Sequence, residues 1–193
     1  LGTFDYNSLN RRQYANSGTR VLASVRYTEG QERHNPGPTS EADFETRHAH
    51  NWWKLKLKVD SYYKSKGVLR LGLYGEGVFS TMDLFENYAS SALRSPFFEP
   101  IPENSTFFLE SFRAYTFAAL GHKVIFNIFR NFDFRLEGYL FKPFEFADRV
   151  QDFDDLDADG LTSDLVQVRG FSNSLFGERY YTVATANAVY NSP

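Results

Sequence analysis

Cysteine is absent from the 193 residues. That excludes a disulfide framework and any thiolate metal centre, while an oxidising envelope would tolerate such a chain. Long apolar runs are missing too. No stretch approaches the ~18 consecutive apolar residues of a membrane helix, which excludes a helical span but not a membrane β-barrel, whose alternating strands leave only a weak hydropathy signal. Net charge is small, −3, so there is no electrostatic case for a nucleic-acid partner. No segment of helical length keeps a 3.6-residue period, although Met82 to Leu93 reads as a short helix inside a loop. The composition is not that of a collagen-like, coiled-coil or wholly disordered chain. The chain opens on Leu1, holds Met82 as its one methionine, and carries a strand-like pattern up to Asn191-Ser192-Pro193. We therefore read residues 1–193 as a single β segment of a longer protein.

Aromatic residues are abundant instead: 20 Phe, 12 Tyr and 2 Trp, or 18%. Many fall in segments that alternate with period 2, the strand period. In Phe132 to Lys142, Phe132, Phe134, Leu136, Gly138 and Leu140 share one face, and Asp133, Arg135, Glu137, Tyr139 and Phe141 the other. Lys54 to Asp60 sets Leu55, Leu57 and Val59 against Lys54, Lys56, Lys58 and Asp60. Val68 to Val78 sets Leu69, Leu71 and Leu73 against Arg70, Tyr74 and Glu76. Thr19 to Tyr27 alternates more loosely, Phe112 to Phe129 is apolar on both faces, and Tyr180 to Tyr190 is rich in Tyr, Thr, Val and Ala.

The connections alternate in length. Thr28 to Asn51, Thr81 to Glu110 and Phe144 to Gly177 are long, whereas Ser65-Lys66-Gly67 and Arg130-Asn131 are tight. Loops beyond ~15 residues are uncommon in compact soluble domains, but outer-membrane barrels alternate short turns with long external loops. Aromatic pairs at the strand ends (Trp52-Trp53, Tyr62-Tyr63, Phe107-Phe108, Tyr180-Tyr181) suit the girdles of such barrels. The expected fold is all-β: an antiparallel transmembrane outer-membrane β-barrel or partial barrel of about eight strands. Alternation alone leaves the faces open. In a soluble sandwich the Leu/Phe face is the core; in a membrane barrel it meets lipid and the charged face lines the lumen.

Catalytic motifs are scarce. The Gly-x-Ser-x-Gly elbow of serine hydrolases is missing; Gly170-Phe171-Ser172-Asn173-Ser174 fails its last position, and Ser172 reads as a turn serine. His34, His48, His50 and His122 are the histidines; His48 and His50 share one side of an extended segment, without a third ligand nearby. Asp155-Leu156-Asp157-Ala158-Asp159-Gly160 matches the first half of a calcium loop, but its twelfth position is Val166 instead of Glu. The loop reads as a solvated acidic surface, with weak calcium binding by Asp155, Asp157 and Asp159 as the alternative; no other cofactor is expected.

Val168-Arg169-Gly170-Phe171, late in the last long connection, resembles the Val-Arg-Gly-Phe signature of the BamA-type barrel superfamily. The resemblance implies that Arg169 enters the lumen and pairs with a wall carboxylate, Asp133 or Glu137. Three stretches, Asn10-Arg11-Arg12-Gln13-Tyr14 before Gly18, Phe132 to Pro143, and Tyr180 to Pro193, make the chain similar to the C-terminal barrel of bacterial patatin-like phospholipases. That implies an outer-membrane barrel that anchors or translocates an N-terminal lipid acyl hydrolase absent from this chain, so no residue here inherits a catalytic role. The expected partners are the lipid bilayer and a homo-oligomer or larger envelope complex. A BamA-like assembly or secretion factor, a porin or adhesin, and a soluble β-sandwich binding module are the competing readings.

Overall fold

A computed structural model describes residues 1–35, 46–86, 88–101, 108–129, 131–151, 165–172 and 179–190. It is all-β, as expected, with eight antiparallel strands in one sheet. In chain order these are β1 (Gly2–Asn7), β2 (Thr19–His34), β3 (Thr46–Lys64), β4 (Leu69–Ser80), β5 (Thr116–Phe129), β6 (Phe132–Gln151), β7 (Leu165–Phe171) and β8 (Tyr181–Tyr190). Consecutive strands pair from β1 to β7, and β8 also pairs with β6. The two last strands share one edge: β7 lies along Glu145 to Gln151 and β8 along Phe132 to Phe141. Among the described residues no pairing joins β1 to β7 or β8.

Two of the expected long connections are shorter than the sequence suggested. Thr28 to Asn51 was read as a polar loop, but β2 runs on to His34 and β3 starts at Thr46, with Glu29 to His34 registered against Asn51 to Thr46. Backbone pairing continues there because a hairpin needs no apolar face once its register is set by the strands below it. Likewise β6 runs through Phe144 to Gln151, and Val168-Arg169-Gly170-Phe171 lies on β7 rather than in a loop. The tight turns hold: Gly67 sits at φ +84° between β3 and β4, a region open to glycine, and Phe129 pairs with Phe132 across the second turn. The short helix, α1, spans Tyr88–Arg94. Arg113 Nη1 donates to its last carbonyls, Ala92 O at 3.3 Å and Leu93 O at 3.0 Å; a cation there suits the negative helix end.

Alternation is obeyed along the strands, and over β4–β6 the charged face is the covered one. Arg135 is 1% exposed and Glu137 5%, whereas Leu120 is 68% exposed and Leu136 42%. Two connections cover the inner face of β4–β6. Residues 8–18, between β1 and β2, bring Ala15 and Asn16 into contact with it. Residues 81–115, between β4 and β5, bring Phe98, which stacks on Phe141 at 5.2 Å and packs edge-on to Tyr74, Phe117 and Tyr139. Tyr139 lies where a Cβ on Gly121 would stand, 2.3 Å from its ring, so the glycine on the neighbouring strand is what lets the tyrosine lie flat.

Candidate functional site: the covered charge network

The chemistry is concentrated on the inner face of β6 and its neighbours. Because strand residues i and i+2 share a face, Asp133, Arg135, Glu137 and Tyr139 form one inward row. Asp133 Oδ2 accepts from Arg11 Nη1 at 2.8 Å and Asn16 Nδ2 at 2.9 Å, and its Oδ1 accepts from Asn127. Arg135 donates from Nε to Glu137 Oε1 at 2.8 Å, from Nη1 to the carbonyls of Tyr14 at 3.0 Å and Ala15 at 2.9 Å, and from Nη2 to Tyr62 Oη at 3.3 Å. Tyr14 holds its carbonyl there at φ 50°, a left-handed conformation uncommon outside glycine. Tyr139 donates to the other Glu137 oxygen. On the adjoining strands Lys123 donates to Asp60 at 2.8 Å, Lys56 pairs with Glu76 at 2.6 Å, and the Tyr74 hydroxyl donates to Glu76. Buried charges are tolerable when paired and hydrogen-bonded in this way.

Arg169 is held elsewhere. In register it faces Ala147. Its guanidinium pairs with Glu145 on β6 and with Asp83 at 3.1 Å, and lies 5.4 Å over the Tyr115 ring. Its carboxylate partners are therefore Glu145 and Asp83, in place of Asp133 or Glu137. The reason is distance along β6: Glu137 is eight residues and Asp133 twelve residues from Glu145, or ~26 and ~40 Å at strand rise. Gly170 has its own use, since a Cβ there would meet the Phe146 ring at 2.4 Å. Val168 is half-buried and Phe171 is exposed. Burial raises the pKa of the Tyr115 phenol above its ordinary value, keeping it neutral under Arg169.

Asp155, Asp157 and Asp159 lie outside the described residues, and no metal-holding group of three His, Asp or Glu side chains occurs among the described ones. His48 and His50 do share a side of β3, each against a carboxylate: Glu86 at 2.6 Å and Glu32 at 2.9 Å.

Arg11, Asn16 and Asn127 escaped the sequence reading as members of the network. The polar run Asn10 to Asn16 was their signal, but nothing local tells that an eleven-residue connection folds inward onto β6. Asp83 and Glu145 left no local signal either.

No protein-family model, no curated protein and no solved structure matches the chain.

Proposed function

We propose that the chain forms part of the wall of an outer-membrane β-barrel, with its Leu/Phe face against lipid and its charged face toward a plugged lumen. One observation carries this reading: over β4–β6 the sheet is inverted, its paired charges covered, and the aliphatic residues of its other face are bare. In water that arrangement leaves a large apolar surface exposed, which soluble monomers avoid. In lipid it is the favoured one.

Dimensions support it. On the outer face of β3, Trp53 and Tyr63 are exposed, with Leu55, Leu57 and Val59 between them. Ten residues of strand span ~33 Å, and a tilt of ~40° reduces that to ~25 Å, the height of the apolar band in such barrels. Tyr27 lies beside Trp53, ring centroids 4.9 Å apart and tilted by 47°, widening the aromatic belt at that level. Open sheet edges are not tolerated in hydrocarbon, so β1 and the β7–β8 edge have to be paired in the assembled barrel.

The narrower reading, a barrel that anchors or translocates a patatin-like lipid acyl hydrolase, rests on the sequence resemblance. Fluorophosphonate labelling of the native protein in its membranes tests it: a labelled band well above 22.3 kDa supports a hydrolase parent, and an unlabelled one favours an assembly factor.

The absence of cysteine makes the wall itself testable. Single cysteines at Leu57, Leu120 and Leu136 should resist a water-soluble maleimide in liposomes and react with a lipid-phase probe. Rapid labelling of all of them by the water-soluble reagent overturns the membrane reading.

A further inference from the structure

The inner face of β2–β3 carries more positive charge than its neighbours neutralise. Lys54, Lys56 and Lys58 occupy successive inward positions of β3, ~6.6 Å apart, and Arg26 stands directly opposite Lys54. Like charges directly opposite on paired strands are destabilising. Lys56 is paired with Glu76 at 2.6 Å. Among the described residues, Arg26 and Lys54 have no ion-pair or hydrogen-bond partner, and Lys58 has none in direct contact: it lies 5.1 Å from the Tyr74 ring, with the Glu76 and Asp60 charges, each already bonded to another lysine, at longer range.

This cationic row ends in a cavity of about 140 Å³. Its wall carries Arg12, Arg20, Lys58, Lys123 and Arg135 against Asp60 and Glu137. Lys123 is held by Asp60, Arg135 by Glu137, and Arg20 by Asp5 from outside the cavity. Five cations less three carboxylates leaves two, Arg12 and Lys58, without a carboxylate in direct contact. The cavity has room for a small oxyanion and some water. Its wall is built: Lys123 is 5% exposed and Arg135 1%.

We propose that this cavity binds a small divalent oxyanion of the phosphate class, with Lys58 and Arg12 as its charge partners and Arg26 and Lys54 as the electrostatic approach to it. Two cations without a carboxylate in direct contact match a dianion. Guanidinium and ammonium groups together supply the charge-assisted donors that an oxyanion needs, and a row of one sign along β3 toward the cavity raises local anion concentration. The site lies on the charged face, so it stands whichever medium meets the opposite face.

The test compares sodium phosphate with sodium chloride at matched ionic strength, using the full chain folded in zwitterionic detergent. Phosphate should raise the unfolding midpoint above chloride, and calorimetry should give saturable binding. Lys58→Gln should weaken phosphate binding about tenfold, as expected for one lost charge-assisted contact. Lys54→Gln should fold at least as well as the parent, because it relieves the repulsion with Arg26, and should still weaken binding severalfold. Lys66→Gln, in the β3–β4 turn, should leave affinity unchanged. Equal effects of the two salts, unaltered affinity in both Lys54→Gln and Lys58→Gln, or equal losses in all three variants overturn the proposal.

Discussion

The two halves of the sheet share a strand pattern and differ in what lies on it. Along β4–β6 the inward charges are covered: Asp133 is 0% exposed, Arg135 1% and Glu76 4%. Along β1–β3 the same kind of pair stays wet, with the Asp5 and Arg20 side chains 36% and 38% exposed. Alternation therefore builds the wall without deciding its burial. Residues 8–18 and the described parts of 81–115 decide it: they bury the inward charges of β4–β6 and reach β3 at Tyr62 and His50, while the Asp5–Arg20 pair on β1–β2 stays open. In the covered half Asp133, Arg135, Glu76 and Lys123 each have an ion-pair partner, as burial demands. The open half is free to carry a surplus, and does.

Arg135 tests the covered half most severely. Arg135→Ala leaves Glu137 and the carbonyls of Tyr14 and Ala15 without their guanidinium partner in a buried site. Breaking a buried pair on one side costs about 3–5 kcal/mol, read as a lowered denaturation midpoint in detergent. An equal loss from removing Arg20 would erase the contrast between the halves. On the outer face, Leu136→Arg should cost about 2–4 kcal/mol if Leu136 lies near the bilayer midplane, measured by reversible folding into liposomes. A variant that inserts and folds like the parent would mean the faces are reversed.

Much of the wall was legible because period-2 patterning is local. Leu55, Leu57 and Leu136 against Lys56, Lys58 and Arg135 can be sorted by eye, and Ser65-Lys66-Gly67 announces its turn. The polar extension of β2–β3 was not legible, since pairing from Glu29 to His34 is imposed by register and carries no apolar signal. The choice of inner face was also beyond reach of the pattern: it depends on Phe98 and Asn16 arriving from distant connections. Arg169 shows both sides of this. Its need for a carboxylate follows from its chemistry, but Glu145 and Asp83 could be chosen only once β7 was registered along the far end of β6.

Arg169 is the next largest test, because it ties β7 to the segment that covers the inner face. Arg169→Ala removes the contacts to Glu145 and Asp83 and leaves Glu145 short of a partner. The expected cost is about 1–3 kcal/mol, together with faster proteolysis within residues 81–115. Unchanged midpoint and unchanged protease resistance would show that the covering segment is held by Phe98 and its aromatic neighbours alone.

The smallest effect belongs to Arg20. It reaches Asp5 through two bonds, Nε to Oδ1 at 3.0 Å and Nη2 to Oδ2 at 2.7 Å, a fork geometry at least as good as that of Arg135 with Glu137. Geometry alone would rank the two pairs together. Exposure separates them: water and salt screen a pair on the open half, and water re-solvates whichever partner remains after the other is removed. Arg20→Gln should therefore leave the midpoint within experimental error at moderate salt, and its slight effect should vanish as salt rises. Arg135→Ala should stay damaging at every ionic strength, since salt screens a buried pair far less than an exposed one. A salt-independent loss at Arg20 would show that β1–β2 is covered in the assembled protein, and the surplus of charge beside it would then need a permanent counter-charge from whatever covers it.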